Sequence, residues 1–389
     1  MTPPEQGALD EGPGQVQLLR PDGTVRADPM YSPYVRDVDA KMLRSLYRDM
    51  ALTRRFDEEA TALQRQGQLA LWAPLRGQEA AQIGSGRATE ARDYIFPTYR
   101  EHGVALTRDV DFPQMLRMFR GLSNGGWDPR EKNFHLYTLV LAAQMPHAAG
   151  YAMGIQRDQA GWDAERLAAE GTAVVAYFGD GSSSEGDTHE SMVFAASNQA
   201  PVVFFCQNNQ WAISVPFEVQ SRVPLVQRAA GYGFPGIRVD GNDVLAVHAV
   251  TRWALEHARS GRGPVLIEAE TYRVGAHTTA DDPTKYRTAV EEETWGPKDP
   301  LTRLEKYLRA QDLVDDDFFA QLAVDGDEMA ARVRREALAF PAPTLADSFA
   351  NVYAEAHPLI REELEFHRRY EAGFADADLS AADAQGEAR

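Results

Sequence analysis

Residues 177–216 read YFGDGSSSEGDTHESMVFAASNQAPVVFFCQNNQWAISVP. An apolar run, AVVAYF, stops at Gly179-Asp180-Gly181. A small-residue helix start, SSSEGD, follows, and a second apolar run, PVVFFC, stops just before Asn208-Asn209. The order is strand, tight turn, helix, strand, with a polar cluster closing each strand. In a parallel sheet the carboxyl ends of neighbouring strands lie side by side, so Asp180 and Asn209 are expected to face one another across a crevice. One carboxylate and one amide oxygen beside a helix N-terminus suit a hard cation bound to an anionic phosphate. Gly-Asp-Gly alone is an ordinary turn with a solvated Asp; the Asn-Asn pair closing the next strand is what argues for a ligand.

Strands and helices alternate on both sides of this stretch. DYIFP reads as a strand leading into Thr98-Tyr99-Arg100, and FHLYTLV as an apolar strand running into a small-residue helix around residues 148–154. Further on, FPGIRV reads as a strand, Asp240-Gly241-Asn242-Asp243 as a turn capping the helix VLAVHAVTRWALEHARSG, and GPVLIEAETYRV as another strand. This alternation predicts an α/β fold: a parallel sheet flanked by helices on both faces. Before it, Met42, Leu43, Leu46, Tyr47, Met50, Leu52, Phe56 and Leu63 recur at helical spacing, so a long amphipathic helix runs up to Gly67. Residues 1–36 carry Pro, Gly and Asp without period and read as an extended N-terminal arm, mobile unless a subunit surface orders it. The α/β domain takes residues 37–330. Residues 331–389 form a C-terminal helical extension with a disordered tail from Ala375.

The 389 residues are 44% hydrophobic, enough for a substantial core, and carry a net charge of -18. That charge argues against nonspecific nucleic-acid binding and against anionic membranes. The apolar runs are strand-sized, so none spans a bilayer, and the acidic N-terminus resembles no presequence. Cys206 is the one cysteine; inside an apolar strand it reads as a small buried hydrophobe. A bacterial cytoplasm is the expected location. Among candidate site residues, Arg100 at a strand end is shaped to clamp phosphate oxygens. His277 leaves the last strand in a polar loop, where α/β enzymes place ligand contacts. Asp281 and Asp282 read as organisers of that loop. His135 and His147 lack metal-ligand spacing and read as structural.

The block from Gly-Asp-Gly to Asn-Asn, with YREHGVALTRD, IRVDGNDV and YRVGAHTTADDPTKYR, resembles the alpha subunit of the thiamine diphosphate-dependent decarboxylating component of 2-oxo acid dehydrogenase complexes. The resemblance covers about residues 37–357 and is nearest to the bacterial branched-chain type, with the pyruvate type next. It implies the thiamine diphosphate-binding fold. Tyr99 and Arg100 match positions that hold the diphosphate. Gly179, Asp180 and Gly181 match the diphosphate turn, and Ser182 opens the adjoining helix. Leu141 falls where the family places an apolar residue beneath the bent cofactor. Asp180, Asn209 and the main-chain carbonyl of Trp211 match the ligands of Mg2+. His277 matches an active-site histidine that handles substrate or acyl acceptor. Gln207 stands at the diphosphate where relatives often carry Arg or Glu. Thr278 occupies the position phosphorylated in eukaryotic relatives. Ala143 leaves the potassium site that some relatives build from the stretch matching residues 138–144 one hydroxyl short.

The implied reaction is decarboxylation of a small 2-oxo acid followed by reductive acylation of the lipoyl group of an acyltransferase. Pyruvate and acetoin are the alternative substrates, and a cofactor-free scaffold or regulatory subunit is the alternative of another class. Trp72 and Thr98 are expected in the acyl pocket. No glutamate here sits in a motif for activating the cofactor. The resemblance places that residue on a beta subunit, so it implies an α2β2 heterotetramer with the cofactor across the interface.

Overall fold

The computed structural model describes residues 14–386. Expectations placed on residues 1–13 and 387–389 lie outside the described residues. The chain divides into two compact units, one ending at Leu338 and one beginning at Ala339.

The first unit is built on five parallel strands: β1 (Tyr94–Phe96), β2 (Val174–Gly179), β3 (Val202–Asn208), β6 (Gly236–Asp240) and β7 (Val265–Glu270), in the order β1-β2-β3-β7-β6. Two short antiparallel strands, β4 (Trp211–Ala212) and β5 (Val215–Pro216), form a ribbon just beyond β3. The central strands read as unbroken apolar runs because both faces are covered. Alternate residues divide between the faces. Val174, Ala176, Phe178, Val202, Phe204 and Cys206 pack with Met145, Ala148 and Ala152 of helix Gln144–Asp158 and with Met192 and Ala195 of helix Gly186–Asn198. Tyr177 points the other way, and its hydroxyl donates to Ser85 Oγ at 2.8 Å. That second face carries helices Glu79–Ala88 and Val244–Arg259. They approach so closely that a Cβ on Gly84 would meet Val244 O at 2.8 Å.

Three expectations change. FHLYTLV is not a strand. Phe134 makes one isolated bridge to Ile95, and the chain then leaves the sheet until helix Gln144–Asp158. Residues 14–36 are not a free arm: Val16 pairs beside Val239 at the sheet edge, with Leu18 and Leu19 buried next to it. The tail from Ala375 is helical as far as Gly386, within helix Pro358–Gly386. The long amphipathic helix forms over Ala40–Arg65, with Asp39 capping Met42 N. Of the second unit, helix Leu345–Phe349 opens on a capping box between Thr344 and Asp347. No helix among the described residues is long and apolar enough to cross a membrane.

Candidate active site

The register of the sheet brings the two polar clusters together. β2 pairs with β3 so that Gly179 lies opposite Gln207, and β3 pairs with β7 so that Asn208 lies opposite Glu270. Beyond these ends, and beyond the end of β1, lies a cavity of about 560 Å³. Tyr99, Arg100, Leu141, Gly179, Asp180, Gly181, Ser182, Gln207, Asn209, Trp211 and His277 all line it, as does Thr278. Every residue picked from the sequence for cofactor or metal thus falls on one surface, drawn from the carboxyl ends of four strands (β1, β2, β3 and β7), from the ribbon and, for Leu141, from the loop before helix Gln144–Asp158.

Asp180 is buried beneath this surface, and its charge has only neutral neighbours in hydrogen-bonding range. Asn209 N donates to Oδ1 at 3.4 Å and Gln220 Nε2 to Oδ2 at 3.1 Å. Burial pushes its carboxyl up to about 6, against those hydrogen bonds. Asn209 Nδ2 donates to Gln78 Oε1 at 3.3 Å, and this fixes its Oδ1 on the side of Trp211 N, which donates to it at 3.3 Å. Trp211 O accepts from Arg273 Nη1 at 3.0 Å, leaving one lone-pair direction free. A desolvated carboxylate grouped with amide and main-chain oxygens fits a hard divalent cation, which would relieve the cost of burying the charge. No group of three or more His, Cys, Asp or Glu side chains among the described residues competes as a metal site.

The wall adjoining these oxygens is cationic. Arg100 Nη1 donates to Pro74 O, and Nη2 to His277 O at 2.9 Å. Arg273 is fully buried, and its Nη2 donates to Ile213 O at 2.7 Å. Among the described residues, neither guanidinium has a carboxylate partner. Burial first, then the charges of Arg100 and Arg287, hold Arg273 below the usual guanidinium range. His277 Nδ1 faces Arg100 Nη2 at 3.3 Å and Arg273 Nη1 at 3.4 Å. Both neighbours are donors only, so Nδ1 is the acceptor and Nε2 carries the proton. Burial, then Arg100 and Arg273, hold this imidazole at about 3, so it is neutral at physiological pH. Its loop is fastened by Asp281 Oδ2, which accepts from His277 N at 2.8 Å and also from the Tyr286 hydroxyl.

Gly179 supplies the remaining space. A Cβ built there meets nothing within 4 Å, so the glycine leaves cavity rather than relieving a protein clash. The acyl-pocket expectation is half corrected. Thr98 lines the cavity, whereas Trp72 is buried behind it, stacked on His102 with ring centroids 4.3 Å apart. Leu71 and Ala73 on either side of it line the cavity instead, with Phe119 and Ile213. His135 and His147 lie off the cavity lining. Sequence reasoning also passed over Arg273, although it stands in the strand-exit block that drew attention to His277. Gln78 and Glu101 carried no signal beyond adjacency to a helix start and to Arg100.

Guanidinium charge without carboxylate partners, facing hard oxygen ligands at strand carboxyl ends, belongs to an α/β enzyme built around a phosphate-bearing cofactor. The chain belongs to the dehydrogenase E1 component family, whose model matches residues 47–336. It is 43% identical over 351 residues to the 3-methyl-2-oxobutanoate dehydrogenase subunit alpha of Mycobacterium tuberculosis, spanning 90% of this chain and 92% of that one. It is 38% identical over 304 residues to the pyruvate dehydrogenase E1 component subunit alpha of Staphylococcus epidermidis, spanning 78% of each. Thiamine diphosphate is the cofactor this family implies, and alpha subunits imply a beta partner.

Proposed function

We propose that this chain is the alpha subunit of a branched-chain 2-oxo acid dehydrogenase decarboxylating component, working in a bacterial cytoplasm. With a beta subunit in an α2β2 assembly it decarboxylates branched 2-oxo acids and reductively acylates the lipoyl group of an acyltransferase. The observation that carries this is the 43% identity to a 3-methyl-2-oxobutanoate dehydrogenase alpha subunit over nearly the whole of both chains. The gathering of the motif residues around one cavity supports the same reading.

When bound, thiamine diphosphate supplies the electron sink that lets a 2-oxo acid lose carbon dioxide. The protein's part is to bind and orient. Asp180, Asn209 Oδ1 and Trp211 O hold Mg2+. Arg100, with Tyr99 beside it and Arg273 behind His277, supplies positive charge to the diphosphate. The backbone at Gly179 and Gly181 lets phosphate approach without a side chain between. His277, neutral with its proton on Nε2, offers a hydrogen-bond donor to an oxygen of substrate or acyl acceptor. Leu71, Ala73, Phe119 and Leu141 give an apolar wall where a branched side chain sheds water. The activating carboxylate comes from the beta subunit.

The test is copurification of the chain with its beta partner, followed by turnover of 3-methyl-2-oxobutanoate beside pyruvate. The expected result is a higher kcat/KM for the branched acid. Preference for pyruvate would move the chain to the second reading, which its 38% identity to a pyruvate dehydrogenase alpha subunit favours. Failure of the assembled pair to bind thiamine diphosphate with Mg2+ would leave only a scaffold.

A further inference from the structure

Two backbone groups set the direction of a hydrogen-bond chain along the cavity. Gly103 N donates to Gln82 Oε1 at 2.8 Å, and Arg100 O accepts from Gln82 Nε2 at 3.0 Å. A backbone N–H can only donate and a carbonyl can only accept, so the Gln82 amide has a single orientation. Its Nε2 also donates to Gln207 Oε1 at 3.2 Å, which turns Gln207 Nε2 toward Glu101. Gln207 Nε2 donates to Glu101 Oε1 at 2.6 Å. Glu101 Oε2 in turn accepts from Thr98 N at 2.5 Å and Thr98 Oγ1 at 2.6 Å. Every link runs from donor to acceptor only in this arrangement.

Glu101 borders the cavity, is 1% exposed and, among the described residues, has neutral hydrogen-bond partners only; the neighbouring Arg100 guanidinium donates to Pro74 O and His277 O instead of to Glu101. Gln207 also borders the cavity, and among the described residues no acceptor takes the second N–H of its Nε2. We propose that Glu101 is a positioning residue that locks the Gln207 amide with its remaining N–H aimed into the cavity, a neutral donor for a diphosphate oxygen. This rests on the thiamine diphosphate reading above. A glutamine free to flip would present its carbonyl to the phosphate as readily as its amide, and a lone pair there repels the anion. With Gln82 Nε2 held on Gln207 Oε1, the Glu101 carboxylate accepting at Nε2 removes that choice.

The chain makes distinct predictions for isosteric changes. In Glu101→Gln, the side-chain oxygen must stay on Thr98 N, so an NH2 group then opposes the NH2 group of Gln207. The link breaks, and thiamine diphosphate binding to the assembled alpha–beta protein at saturating Mg2+ should weaken about tenfold, the worth of one oriented hydrogen bond. In the exchange Glu101→Gln with Gln207→Glu, every link is restored with donor and acceptor reversed between the two positions. Thermal stability of the cofactor-free protein should return to that of wild type, yet affinity should fall below that of the single variant, because a carboxylate oxygen now faces the diphosphate. Titration by intrinsic tryptophan fluorescence, with Trp211 on the cavity wall, reads affinity directly. Wild-type affinity in either variant overturns the proposal, as does tighter binding in Glu101→Gln, which would show that removing a negative charge outweighs orientation. Wild-type protein that binds no thiamine diphosphate would instead overturn the functional reading on which the proposal stands.

Discussion

Gly77 and Gly179 lack a side chain for different reasons, and two alanine variants separate them. At Gly77 the backbone has φ +98°, and a Cβ would meet Tyr272 O at 2.1 Å, where the loop before helix Glu79–Ala88 passes the exit of β7. Strained backbone and overpacking act together there. Gly77→Ala should cost roughly 2–5 kcal/mol and lower Tm by several degrees, cofactor present or absent. At Gly179 a Cβ has open space, so Gly179→Ala should leave the cofactor-free Tm close to wild type, within about 0.5 kcal/mol of stability. Its cost should appear in thiamine diphosphate affinity, at least about tenfold, because the methyl would occupy the volume proposed for the diphosphate. Equal loss of stability in both variants would refute the distinction. The Gly-Asp-Gly motif was legible from sequence because it closes an apolar strand at a set spacing from Asn208-Asn209. Gly77 was not, because its need arises from a carbonyl nearly two hundred residues away in the chain.

At the scale of elements, what the sequence disclosed depended on whether an element's partners are local. β2 and β3 were readable because strands covered on both faces need unbroken apolar runs. FHLYTLV has the same composition without being a strand. Phe134 and Tyr137 are buried in an aromatic cluster with Trp127, while Leu139, Val140 and Leu141 remain exposed at and beside the cavity. Apolarity alone cannot tell a strand from a loop that walls a cavity. The N-terminal segment carried still less signal, since its order comes from Asp243. That carboxylate caps helix Val244–Arg259 through Leu245 N and Ala246 N, both at 3.0 Å, and its other oxygen accepts from Leu18 N at 2.7 Å and Leu19 N at 2.5 Å. One side chain therefore satisfies four backbone donors from two elements. Asp243→Ala should lower stability by roughly 2–4 kcal/mol, a lost cap plus unsatisfied buried N–H groups, and speed proteolysis of residues 14–26. Limited digestion followed by mass spectrometry reads the cleavage site; unchanged protection of that segment would show that Val16 and its sheet-edge pairing hold it without Asp243.

For the molecule as a whole, the response to pH sums buried groups that work in opposite directions. Burial pushes Asp57 up to about 7, so the folded chain keeps a proton that the unfolded chain releases near 3.8. That penalty is fully present above pH 7 and fades as pH falls toward 3.8. His102 and His248 act oppositely. Burial holds them at about 3 and about 4, below the ordinary 6.5. Their contribution is fully present above pH 6.5 and is lost as pH falls toward the folded values, since the unfolded chain takes up protons that the folded chain refuses. Because these terms oppose one another between pH 4 and 6.5, the profile of the wild type alone assigns nothing, and a difference between two proteins is needed. His248 is suited to this, lying on helix Val244–Arg259 away from the cavity lining, with Nδ1 donating to Gly84 O at 3.2 Å. Glutamine can keep that donor and does not titrate. His248→Gln should therefore be no more stable than wild type at pH 7.5. It should gain on wild type steadily below pH 6.5, by up to about 3 kcal/mol at pH 4, the worth of the depressed imidazole. Paired thermal melts across that range measure the gap; a gap that stays constant from pH 7.5 to 4.5 would mean that His248 takes its proton equally in the folded and unfolded chains.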